Sequence, residues 1–167
     1  MIITYNPTRN IWRSCAEYLI AKAETEGKTD LTIVLSWLDA YEEENKEKSI
    51  IAIGLEDEIS TRREIGSNEL MDIDLLMIDI FGISEGDKLD LTYWVKDSLK
   101  NGFPYYEYVV NAPDINNLIN AEVMTKTENG KVEIRSFVSN RNVRLGAEVD
   151  DRDKYRRAIA IQVQINN

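Results

Sequence analysis

Two carboxylate-rich stretches are the first candidates for chemistry. "LEDEIS" carries Glu56, Asp57 and Glu58 with Arg62 and Arg63 close behind, and "ELMDIDLLMIDIFG" carries Asp72, Asp74 and Asp79. Carboxylate oxygens hold magnesium or calcium, so the chemistry on offer is metal-assisted phosphoester transfer. It requires two or more of Glu56, Glu58, Asp72 and Asp74 in one pocket. Spacing argues against it. Adjacent strand residues point to opposite faces, so the triplet at 56–58 converges on one ion only through a bulge. The chain has no histidine and a single cysteine, Cys15, which removes zinc centres and the Ser/His/Asp and Cys/His nucleophile arrangements. "EVDDRD" at 148–153 lacks the central glycine and closing glutamate of a calcium loop, and "GISEGD" lacks the lysine of a phosphate loop. Phe103, Tyr105, Tyr106 and Tyr108 have no basic groove around them for stacking bases, so they read as strand packing.

The elements that position these residues follow from periodicity. After the turn at Asn6-Pro7, the residues Ile11, Trp12, Cys15, Tyr18, Leu19 and Ala23 form one stripe of a helix ending near Gly27. In "DLTIVLSWLDAYEEENKEK", Leu31, Val34, Leu35, Leu38 and Tyr41 fit a second helix capped by Asp30, although "LTIVLSW" has strand-like composition. "SIIAIGLEDE" is a strand with Ile51 and Ile53 on one face, and "ISTRREIGSN" is a loop or hairpin connection into the long strand. There Asp72 and Asp74 share a face with Leu70, Leu76, Ile78 and Ile80, while Asp79 joins Ile73, Leu75 and Met77. The strand is therefore half exposed at its start and buried on both faces from Leu75 to Phe81. A helix follows, capped by Ser84 or Asp87 and ending at Gly102, with Leu91, Trp94, Val95 and Leu99 inward. A strand then starts after Pro104. Asn129-Gly130 predicts a type I′ turn in a long hairpin over 119–140, projecting beyond the compact domain. "RAIAIQVQIN" closes the chain as a strand. The expected fold class is α+β: a mostly antiparallel sheet with an N-terminal helix and a second helix packed on it, plus that hairpin. All 167 residues are expected to form one domain.

Composition narrows the function classes. No run approaches the roughly 18 apolar residues of a membrane span, and "MIITYNPTRN" lacks the basic start and apolar block of a secretory signal. A lone cysteine points to a chain made in a reducing cytoplasm. The net charge is −10, with 20 acidic and 9 basic side chains over 1–90 against 10 and 11 over 91–167. Such a chain repels a nucleic-acid backbone. Arg141, Arg144, Arg152, Lys154, Arg156 and Arg157 form a basic group read as solvated surface or protein contact.

The order of an N-terminal helix, the strand "IIAIGLEDE", a loop with "REIGSNEL", and "IDLLMIDIFG" running into "KLDLTYWVKDSLKNG" resembles the tail-terminator and neck proteins of tailed bacteriophages, also called tail-completion or minor tail proteins. In that family a strand of the form "idiFa" leads into a helix beginning "ldLa". The resemblance covers about residues 8–110; the stretch 28–48 and the hairpin at 119–140 depart from it. It implies a non-enzymatic virion protein of α/β character, made in the host bacterial cytoplasm, with no cofactor and no metal. Its partners would be further copies in a six-fold or twelve-fold ring and the neighbouring neck, connector and tail-tube proteins. DNA would pass through an acidic lumen without specific binding, and no membrane would be involved. On this reading Glu56, Asp57, Glu58, Arg62, Arg63, Lys126, Lys131 and Arg135 are intersubunit or lumen contacts, and Asp72, Asp74 and Asp79 are exposed strand and lumen charges. The rival readings are the magnesium-assisted enzyme and a small acidic adaptor or inhibitor that mimics nucleic acid.

Overall fold

Helix α1 (Pro7–Thr25) begins where the Asn6 side chain accepts a hydrogen bond from the backbone N–H of Arg9 at 2.9 Å, with Pro7 at the first helical position. It ends in a Schellman arrangement. Lys28 N–H donates to Ala23 O at 2.9 Å, Gly27 N–H donates to Glu24 O at 3.1 Å, and Gly27 has φ +67°. Ile11, Trp12, Cys15, Ala16, Leu19 and Ala23 are buried, as the apolar stripe requires. The computed structural model describes residues 1–36, 39–40, 47–55, 59–62, 70–112, 122–142 and 155–166. At 59–62, 70–73, 139, 140 and 142 it describes the backbone alone.

The sheet is mostly antiparallel. Its order is β1 (Ile2–Thr4), β6 (Phe103–Asn111), β7 (Glu122–Asn142), β8 (Arg156–Asn166), β5 (Leu70–Phe81), β3 (Ser49–Leu55) and β2 (Leu31–Val34), with β4 (Ile59–Arg62) paired to the start of β5. Helix α2 (Glu85–Leu99) leaves β5 almost at once. Ser84 caps it by accepting from Asp87 N–H at 3.2 Å, and Asp87 accepts in turn from Ile83 N–H at 3.0 Å. Gly102 ends the connection at φ +76°, where a Cβ would lie 2.2 Å from Val132 O, so only glycine fits between α2 and β7. Ile51 and Ile53 of β3, Leu76, Ile78 and Ile80 of β5, and Ile159, Ile161 and Val163 of β8 form one face. Onto it pack Ile11, Trp12, Cys15 and Leu19 of α1 and Leu91, Val95 and Leu99 of α2. The α+β architecture with its N-terminal helix thus matches the pattern in the sequence.

Three expectations are corrected. Residues 31–34 are a strand, not the start of a helix: Leu31–Val34 pair in parallel with Ser49–Ala52, where the β-branched run Thr32-Ile33-Val34 completes the sheet edge. Only Asp39 and Ala40 carry helical backbone among the described residues of that stretch. Asn129-Gly130 does not reverse the chain. β7 is one strand of 21 residues, roughly 70 Å at 3.3 Å per residue. A type I′ turn needs positive φ at both central residues; Gly130 has φ +97° but Asn129 does not. The pair instead forms a bulge: Pro104 faces Lys131 and Tyr106 faces Glu128, so β7 spends one residue more than β6. The hairpin at 119–140 is therefore replaced by a strand whose first half pairs with β6 and whose second half pairs with β8. Finally, Asp74 and Asp79 are buried, at 5% and 7% exposure, where exposed charges were expected.

Candidate assembly surface

The charged side chains singled out above separate into three groups. Asp79 of β5 is held by Arg156 of β8, whose Nε lies 2.9 Å from Asp79 Oδ1 while the guanidinium sits 5.2 Å from the centre of the Phe81 ring. Register explains the meeting, since Phe81 and Asp79 stand opposite Arg156 and Ala158. This pair ties β5 to β8 and takes Arg156 out of the basic group. Arg141 lies beside it on β7, opposite Ala158, and is exposed. Asp74 sits on the core face with Leu76, Ile78 and Ile80. The second group, Glu56, Asp57, Glu58, Arg63, Arg144, Arg152 and Lys154, falls outside the described residues, as do the side chains of Arg62 and Asp72.

The third group lies along β7. Lys126 Nζ is 2.6 Å from Glu17 of α1 and 4.1 Å from the centre of the Tyr106 ring. Arg135 donates to Gln164 of β8 through Nε at 2.7 Å and lies 3.7 Å from Glu133. Lys131 is exposed and forms no ion pair with a described residue. So Lys126 and Arg135 brace β7 against α1 and β8, and neither projects from a hairpin tip. Glu122 and Met124 to Lys131 are exposed, although their strand stands in the interior of the sheet order.

That exposure has a topological cause. β6 covers one side of β7 from Glu122 to Val132, and β8 covers the other side only from Lys131 onward, where Lys131 faces Asn166. Glu122–Gly130 therefore have no strand on their second side among the described residues. The outer edge of β6 is treated differently. The N–H of Tyr106 donates to Ser14 Oγ at 3.0 Å and the N–H of Tyr108 to Asn10 Oδ1 at 3.2 Å, so α1 covers that edge with two buried polar side chains. Sequence reasoning missed Asn10 and Ser14; polar residues inside the apolar stripe of α1 were the available signal. An uncovered strand edge is a template for pairing, which proteins otherwise protect with charges, bulges or overlying elements.

Burial pushes the Cys15 thiol up to about 12, which leaves it unreactive. A cleft of about 290 Å³ lies where the end of α1 meets α2, lined by Asp30, Ser49, Asp87 and Leu91 among others. Its Asp87 carboxylate is engaged by the Ser49 hydroxyl and the Ile83 N–H, as part of a helix cap. Among the described residues no three acidic or cysteine side chains are grouped to hold a metal, and no helix is long and apolar enough to cross a membrane. No protein-family model matches the chain, and no curated protein matches it.

Proposed function

We propose that the chain is a structural protein of a tailed-phage virion. It forms a ring at the neck that terminates the tail tube or joins the tail to the head connector, and it acts without catalysis. The observation that carries this reading is the succession α1, β3, β5, α2. In particular, a long strand ends at Phe81 and a helix starts at Glu85, at the point where the sequence strings resemble those of neck proteins. The uncovered edge of β7 supports it, because an assembling chain has a use for an open edge that a solitary one must protect. The net charge of −10 supports it as well, since an acidic lumen lets a phosphate backbone slide without adhering. The virion is the corresponding location, and neighbouring neck, connector and tail-tube proteins are the corresponding partners. Negative-stain electron microscopy of the purified chain tests the proposal: closed rings with a central channel are expected. Compact solid particles of one or two chains at every concentration would contradict it.

A further inference from the structure

We infer that the open edge of β7 pairs with the same edge of a second copy of this chain, in antiparallel fashion about a two-fold axis at Lys126. The slot is bounded at both ends. Glu122 is the first residue of β7, and Asn166 of β8 occupies the position opposite Lys131, so no described strand lies along the second side of the nine exposed or half-buried residues Glu122–Gly130. Hydrogen-bond phase fixes which groups face it. In an antiparallel ladder, residues directly opposite exchange both backbone bonds or neither. The N–H groups of Tyr106 and Tyr108 turn away from β7 to Ser14 and Asn10. Their partners Glu128 and Lys126 consequently direct their own N–H and C=O groups into the slot.

A second copy fits this phase and this length. An antiparallel copy that fills the slot places Lys126 opposite Lys126 of the other chain, outward groups facing outward groups. A shift of one residue would set outward groups against inward ones, and a shift of two toward Lys131 would collide with Asn166. In the fitting register Thr125 lies opposite Thr127 of the other chain, and Glu128 lies diagonal to its Lys126, each contact occurring twice. The two Lys126 ammonium groups do not confront one another, because each is drawn back to its own Glu17 at 2.6 Å. The charge that ordinarily guards a strand edge is thus neutralised within the chain. Glu128 forms no ion pair with a described residue and is available to the partner.

A two-fold contact cannot close a ring, so this inference goes beyond the ring reading and pairs copies or stacks two rings. Disulfide trapping tests it, with buried Cys15 unable to compete. Thr125→Cys and Thr127→Cys chains, mixed and oxidised, are expected to give a covalent dimer, and each variant alone is expected to give none. Glu128→Pro removes an outward N–H that is directed away from β6, and is expected to weaken pairing at least about tenfold relative to Glu128→Ala, with the fold intact by circular dichroism. Trapping by either variant alone, or no trapping in the mixture, overturns the pairing. Rings whose mass is unchanged by Glu128→Pro also overturn it while leaving the ring reading in place. Trapped dimers that never grow into rings do the reverse.

Discussion

Tyr108 shows how a single group can be read in both directions. Its side chain is fully buried, its hydroxyl makes no well-formed hydrogen bond with a described residue although the Ser14 and Glu17 side chains lie near it, and its ring packs near Tyr5 and beneath Arg13. Burying a hydroxyl without a well-formed hydrogen bond costs stability, so Tyr108→Phe is expected to stabilise the fold by up to about 1 kcal/mol in urea melts at pH 7. Burial also pushes the Tyr108 phenol above its ordinary value. A raised folded-state pKa contributes stability that is fully present below the unfolded value, near 10, and is lost as pH rises through the folded one. Repeating the melts near pH 11 is therefore expected to widen the advantage of the phenylalanine variant; a constant difference between the two pH values would contradict the assignment. Tyr105, raised by burial in the same direction, contributes the same alkaline sensitivity to both proteins. At this scale the sequence was a partial guide. It marked Tyr105, Tyr106 and Tyr108 as strand packing, which they are, but Asp79 and Arg156 are 77 positions apart and only the β5–β8 register brings them together.

The helices and strands that pack against the core were legible because their signals are local. Ser84 and Gly102 bracket α2, and Leu91, Val95 and Leu99 repeat at helical spacing. Leu91→Ala is expected to cost about 2–4 kcal/mol through lost burial and a residual cavity, whereas Asp97→Ala on the solvent side leaves the melting temperature almost unchanged. Equal losses for both would mean that the helix is rotated from this position. Two elements were illegible for a common reason. Leu31–Val34 becomes a strand only because Ser49–Ala52 pairs with it, and Asn129-Gly130 becomes a bulge only because β6 pairs with β7 before and after it and β8 carries the strand on from Lys131. Non-local pairing overrides local preference in both. The consequence for β7 is testable. Replacing residues 126–131 by a two-residue turn would leave a hairpin intact, but in this topology it removes the stretch that links the part of β7 paired with β6 to the part paired with β8. We expect that variant to lose cooperative unfolding; a protein as stable as the parent would restore the hairpin.

For the whole molecule, the absence of histidine and the structural roles of the described carboxylates Asp79 and Asp87 shape the expected response to cations. Asp79 is paired with Arg156, and Asp87 belongs to a helix cap. Millimolar magnesium or calcium is expected to leave the melting temperature unchanged, whereas a specific ion at about 100 times its dissociation constant would add roughly 2.7 kcal/mol. A clear rise in calorimetry, abolished by Glu56→Ala or Asp72→Ala, would favour the magnesium-dependent enzyme instead.

The proposed assembly of this chain into a ring is open to direct measurement. Native mass spectrometry of the purified protein, from low micromolar concentration upward, reads the number of chains in each particle. A closed assembly of about six or more copies that persists on dilution is expected, as for a ring whose every subunit is held on two sides. A mass of 19.2 kDa at all concentrations, the single chain, would contradict it.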